Sequence, residues 1–308
     1  MQHTLKTATA TISGVGLHTG GDVTLRILPA APDTGLLFVR TDLTSVNTYV
    51  PANYSAVDTK ASRLCTLLKN TAGIAIQTPE HLMAALSGCG IDNALIEISG
   101  PEVPLMDGSA KPFVDAIMAV GRKAQPAPRA SLRVLKTVRI EDGDKFAEIR
   151  PHDEQGLTID FTIDFPGLGV QHRHFVLTDA DTFINEVAAA RTFTLRSIAM
   201  AMKAQGAVKG GSLDNALVLN DEDGTPFEGV ARYADEPVRH KIMDAVGDLA
   251  LAGMPIHGAV VTSRGGHALT NQLLRALFSQ PDAYTVVYDI AGIPVPQAEK
   301  RLAAATSR

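Results

Sequence analysis

Apolar and polar residues alternate over Thr4 to Ile12, Val23 to Leu28 and Ala94 to Ile98, the period of half-buried strands. Between the last two the spacing changes. From Pro79 the apolar positions recur at helical intervals. Pro suits a first helical turn, and Thr78 is a candidate N-cap. A second helical stretch covers Pro112 to Lys123. Gln125-Pro126-Ala127-Pro128 then breaks the pattern, and a domain boundary is placed there, giving segments 1–126 and 127–308. Beyond it, strands are predicted over Leu132 to Ile140, Lys145 to Ile149, Leu157 to Phe165 and Ala216 to Leu219. Helices are predicted over Ile184 to Ala190, Ile198 to Gln205, Pro237 to Ala252 and Gly266 to Phe278.

The two segments share a faint repeat. His81-Leu82-Met83-Ala84-Ala85 leads through Gly88 and Gly90 to the β-rich Ala94 to Ile98. His240-Lys241-Ile242-Met243-Asp244-Ala245 leads through Gly253 to the β-rich Ala259-Val260-Val261. Two copies of one helix-and-sheet unit would account for a chain of 308 residues, at roughly 150 residues per domain.

Composition narrows the function classes. Apolar residues are 45% and charged residues 20%, as in soluble globular proteins. With 28 Lys and Arg against 33 Asp and Glu, the net charge of −5 has the wrong sign for a nucleic-acid binder. The absence of Trp also argues against a stacking platform for single strands. No apolar run approaches the roughly 18 residues of a membrane span. Met1 to Lys6 carries no apolar signal core, so a cytoplasmic protein is expected. Cys65 and Cys89 make no disulfide framework and no CxxC pair; a metal site here would be built without thiolates.

Four groups of residues could carry chemistry. His240, Asp244 and Asp248 lie at i, i+4 and i+8, one polar stripe on a helix of otherwise packed residues. Imidazole and carboxylate so spaced can point at one divalent ion, or form a hydrogen-bonded pair on a solvated face. Thr78-Pro79-Glu80-His81 places an acid beside an imidazole at a helix start. His81 could complete a His, His, Asp set, with Glu80 accepting a proton from water; Glu80 could equally just suit the helix dipole. In Arg264-Gly265-Gly266-His267 the glycines allow close backbone approach to a ligand. His267 could act as a general acid held by Asp248, or be a helix-start His bonded to backbone. Thr192 in Ala190-Arg191-Thr192-Phe193 could stabilise an oxyanion or simply cap. A rival pair, His172 and His174, shares one strand face without an acid at useful spacing, and is read as a polar face.

Taken in order, several segments resemble one family. They are Gly14-Val15-Gly16-Leu17-His18-Thr19-Gly20, Thr78-Pro79-Glu80-His81-Leu82 with Gly90-Ile91-Asp92-Asn93, Pro104-Leu105-Met106-Asp107-Gly108-Ser109-Ala110, Ala190-Arg191-Thr192-Phe193, Gly210-Gly211-Ser212, Arg239-His240-Lys241 through Gly247-Asp248-Leu249, and Gly266-His267-Ala268-Leu269. Together they span nearly the whole chain. They resemble the bacterial zinc amidases that deacetylate UDP-3-O-acyl-N-acetylglucosamine and commit it to lipid A synthesis.

The resemblance implies an α+β fold of two similar domains, each a β-sheet layered with α-helices, with the active site between them. It implies zinc on His81, His240 and Asp244, although such donors suit Fe2+ as well. It makes Glu80 the general base, Thr192 an oxyanion donor, and His267, held by Asp248, the group that stabilises charge or protonates the leaving amine. It places Lys241, Phe193, Arg264, Leu17 and His18 against the substrate. A monomer is expected, with at most a transient contact at a membrane surface. The chain departs from the family after Phe193: Thr194 replaces a usual Gly, and Leu195 to Met202 lacks the usual acids. Ile198, Ala199, Met200, Ala201 and Met202 are apolar enough to line a passage for the acyl chain.

Overall fold

A computed structural model describes residues 1–44, 47–62, 64–153 and 156–289. The expected second segment therefore ends, over 290–308, outside the described residues.

The first half builds a five-stranded sheet in the order Ile12–Val15, Asp22–Pro29, Ala94–Ile98, Leu36–Arg40, Tyr49–Pro51. Its central strands alternate buried and outward residues, as the sequence pattern requires. Two helices follow the same logic, α1 (Glu80–Gly88) and α2 (Lys111–Val120). The second half builds a seven-stranded sheet with Ile256–Ser263 at its heart. That strand pairs with Arg129–Val134, with Lys145–Arg150 and with Leu157–Phe165. Among the described residues, four helices belong to this half: α3 (Ala180–Glu186), α4 (Arg196–Ala204), α5 (Glu236–Ala250) and α6 (His267–Phe278). The fold is thus mixed α and β, with open sheets rather than a closed barrel.

The repeat seen in the sequence is a repeat of structure. In each half a helix with an inward His, α1 or α5, leads into a central strand. The two helices pack on each other, α1 being buried along nearly its whole length. Their contact is close because Gly247 has no side chain: a Cβ there would lie 2.0 Å from the Glu80 carbonyl oxygen. One apolar core runs through both halves, from Ile27, Phe38 and Phe113 to Phe161, Ile242 and Leu273.

Several element boundaries differ from expectation. Thr4 to Ile12 is not one strand. His3–Leu5 pairs with Arg122–Ala124, whereas Ile12–Val15 pairs with the Asp22 strand, so the chain changes partners between them. Leu132 to Ile140 likewise splits into Arg129–Val134 and Val138–Asp142, with Leu135 exposed at the turn. The helix expected over Ile184 to Ala190 instead runs Ala180–Glu186. Asp179 caps it by accepting from Thr182 N at 2.8 Å, a signal upstream of the periodic stretch. Thr78 is not the N-cap of α1; Pro79 occupies that place. The helix from Pro112 stops at Val120 because Gly121 turns left-handed at φ 71°. Both cysteines are buried free thiols.

Candidate active site

The stripe on α5 faces inward. His240, Asp244 and Asp248 are 3%, 4% and 3% exposed, so the solvated-face alternative does not apply. Across the close helix contact, α1 brings its first two residues, Glu80 and His81, to the same place. His81 Nε2 and His240 Nε2 each lie 3.4 Å from Asp244 Oδ1. Among the described residues, this is the one set of three such side chains whose ligand atoms fall within 4.8 Å of one another.

These residues fit a divalent cation. Asp244 Oδ1 is buried and has no hydrogen-bond partner among the described residues, a costly orphan unless something positive sits there. His240 Nδ1 faces the Ala190 carbonyl at 3.1 Å; donating there leaves Nε2 free as an acceptor. Burial holds His240 down to about 4, so its ring is neutral as a ligand must be. Burial works against a charged Asp244, yet His240 and Lys241 hold it well below the usual carboxylate range. The other oxygen, Oδ2, accepts from Lys241 Nζ at 2.7 Å.

Two further titratable groups, Glu80 and His267, lie beside this cluster. His267 opens α6, and its Nδ1 donates to Asp248 Oδ2 at 2.8 Å. Its Nε2 is 3.6 Å from Glu80 Oε1 and 3.9 Å from Asp244 Oδ2. Burial disfavours a charged ring there, but the Asp248 and Glu80 carboxylates outweigh it and push His267 up to about 9. Burial, with Asp248 and Asp244 nearby, pushes Glu80 up to about 7. Carboxyl and imidazole values set apart in this way suit a base and an acid working near neutral pH. The meeting of Asp248 with His267 was only one option in the sequence; the packing of α5 on α6 decides it.

A cavity of about 910 Å³ opens onto these groups. Thr192 and Phe193 line it, with Leu17 and His18 from the 14–20 loop and Ile198 and Met200 from α4. Phe193 stands edge-on to His240 at 6.3 Å between ring centroids. Arg264 also lines the cavity, but its guanidinium is paired with Asp144 and Asp164. Thr78 and Arg264 both take left-handed backbone, at φ 55° and 53°, a costly conformation concentrated here at the site. The rival pair is a polar strand face, as expected. An acid does join it from the neighbouring strand: Asp160 Oδ1 lies 2.9 Å from His174 Nδ1 and 3.5 Å from His172 Nε2.

Three residues that the sequence did not single out hold this arrangement. Thr66 donates from Oγ1 to Asp248 Oδ1 at 2.6 Å, and its N–H donates to Glu80 Oε2 at 3.2 Å. It ties Asp248 to Glu80, and nothing in its sequence context marks it. Glu236, fully buried, accepts from Arg191 N at 2.9 Å, Arg191 Nε at 2.8 Å and Arg232 N at 2.6 Å. It fastens the Arg191-Thr192 turn to the start of α5. In sequence it looks like any acid in a first helical turn. The third, Glu102, lies beside the 14–20 loop.

The family model described as LpxC, UDP-3-O-acyl N-acetylglycosamine deacetylase, matches residues 2–279. The UDP-3-O-acyl-N-acetylglucosamine deacetylase of Histophilus somni (strain 129Pt) is 45% identical over 289 residues, covering 93% of this chain and 92% of that protein. Those of Pasteurella multocida (strain Pm70) and Shewanella violacea are 44% and 45% identical over the same length and coverage. The chain belongs to the UDP-3-O-acyl N-acetylglycosamine deacetylase family.

Proposed function

We propose that this chain hydrolyses the N-acetyl amide of UDP-3-O-acyl-N-acetylglucosamine, the committed step of lipid A biosynthesis, using zinc held by His81, His240 and Asp244. Products are acetate and the free glucosamine amine. The observation that carries the proposal is the buried, unpartnered Asp244 Oδ1 facing two imidazole nitrogens, with Glu80 and His267 alongside. Zinc bound there would lower the pKa of water to about 7 and polarise the amide carbonyl. Fe2+ suits the same donors.

The roles of the chain's own groups follow from their positions. Glu80 accepts the proton of the attacking water through its carboxylate. The Thr192 hydroxyl donates to the oxygen that gains charge as the carbonyl becomes tetrahedral. His267 presents a protonated Nε2, kept charged by Asp248, to the nitrogen that leaves as the amine. Lys241 neutralises Asp244 while its stem lines the cavity towards the sugar and diphosphate. Phe193, Leu17 and His18 form the groove for the substrate. Arg264 meets the diphosphate once it exchanges Asp144 and Asp164 for phosphate oxygens. The apolar α4 residues Ile198, Met200 and Met202 receive the acyl chain.

The same reading takes residues 1–126 and 127–308 as the two domains, and the protein as a cytoplasmic monomer that binds no nucleic acid. Among the described residues no helix is long and apolar enough to cross a membrane. A net charge of −5 gives no general attraction to an anionic bilayer, in keeping with at most transient contact there. The test is acetate release from a UDP-3-O-acyl-N-acetylglucosamine, before chelation, after chelation, and after zinc is restored. Release that zinc restores is expected; no release from folded, zinc-loaded protein refutes the proposal.

A further inference from the structure

Glu102 is a buried carboxylate, 1% exposed, and among the described residues no Lys or Arg is a hydrogen-bond partner of it. Four donors surround it. His18 N donates to Oε1 at 2.8 Å and Thr78 Oγ1 to the same oxygen at 3.2 Å. Thr19 N and Thr19 Oγ1 donate to Oε2 at 2.8 and 2.7 Å. The approach is tight: a Cβ on Gly16 would lie 2.4 Å from Oε2, so the loop closes around the carboxylate only because residue 16 is glycine.

The loop so held has two tasks at the cavity. Its Leu17 and His18 are cavity walls, and His18 Nε2 is buried there with no hydrogen-bond partner among the described residues. Its Leu17 carbonyl accepts from Gly210 N at 3.0 Å, which docks the segment after α4 on the loop. That segment supplies further walls, Val208, Gly211 and Leu213. A donor-only surround with full burial needs an acceptor on both carboxylate oxygens. A neutral amide of the same shape cannot supply this. Wherever its NH2 group is placed, it confronts the backbone N–H of His18 or of Thr19.

We propose that Glu102 is a positioning residue for substrate binding: it fixes the 14–20 loop so that Leu17 and His18 form a rigid wall of the substrate groove, without touching the reacting atoms. This rests on the deacetylase reading above. Glu102 also meets Thr78, but Thr78 is held independently by its N–H on the Thr66 carbonyl at 3.0 Å. The bond to Glu102 is the longest of the four, so the groove wall, rather than Glu80, takes the main effect.

The experiment measures kcat and KM for acetate release from the UDP-3-O-acyl substrate with metal-loaded wild type, Glu102→Gln and Thr19→Val. Glu102→Gln should raise KM by about tenfold or more while kcat stays within about threefold. Thr19→Val, which keeps the carboxylate but removes one donor, should raise KM by a smaller factor in the same direction. An unchanged KM in Glu102→Gln, or a loss confined to kcat, overturns the inference. If Glu102→Gln does not fold, Thr19→Val decides: a wild-type KM there overturns it. Failure of the wild type to release acetate would refute the deacetylase reading instead.

Discussion

The packing of Gly247 against α1 makes a quantitative forecast for Gly247→Ala. An alanine Cβ at this position would sit 2.0 Å from the Glu80 carbonyl oxygen, 2.9 Å from its carbonyl carbon and 3.1 Å from Ala84 N. These are backbone atoms and cannot swing aside. Helix α1 would have to move by about 1 Å or more to restore ordinary van der Waals distance. The overpacking costs about 1–3 kcal/mol. Alanine's better helix propensity offsets roughly 1 kcal/mol of that. The net destabilisation is therefore about 0–2 kcal/mol, a few degrees in Tm for a chain of this size. Activity should suffer more. Glu80 and His81 ride on α1, whereas His240, Asp244 and Asp248 ride on α5. A displacement of about 1 Å between catalytic groups can cost on the order of 100-fold in rate. The assay is acetate release by metal-saturated protein, run beside a thermal melt. A Gly247→Ala protein that melts normally and turns over within about threefold of wild type would refute the claim that this contact sets the site.

Other perturbations probe the remaining parts. If Glu80 is the proposed base and not a ligand, Glu80→Ala should lower kcat by at least about 100-fold while metal analysis still finds the ion. The rate should rise with pH as Glu80 loses its proton and fall as His267 loses its own. Because a bound cation disfavours the extra proton on both groups, the limbs should lie at or below about 7 and about 9. Asp248→Asn removes the charge that holds His267 protonated, so the alkaline limb should move to lower pH; a limb that stays in place would contradict the assigned pair. Glu236→Ala leaves the Arg191 guanidinium half-buried without its carboxylate. It should destabilise the fold by about 3 kcal/mol, read as a denaturation midpoint, and lower kcat by loosening Thr192.

Much of the site was legible in the chain because its grammar is local. The stripe of His240, Asp244 and Asp248 follows from the helical period, and the Glu80-His81 pair from adjacency at a helix start. The helix-then-strand units around α1 and α5 follow from periodicity and glycine punctuation. Local pattern falls short where the partner of a segment changes. Apolar and polar residues alternate on both sides of Lys6-Thr7, where the phase slips by one, yet the two stretches pair with different neighbours, and sequence period carries no record of the partner. Val187 to Ala190 looks like helix, but the turn there instead turns the Ala190 carbonyl onto His240.

The chain by itself determined the residue types, the helices that carry them and the family pattern they spell, since each depends on neighbours a few positions apart. Only the tertiary structure decided that the α5 stripe faces inward, that His81 meets it across Gly247, and that Asp248 reaches His267. It alone brought Thr66, Glu102 and Glu236 into their roles. These are buried polar groups whose value lies wholly in partners supplied by other elements. Burial makes each of those bonds obligatory, but no spacing along the chain encodes which distant donor will satisfy it.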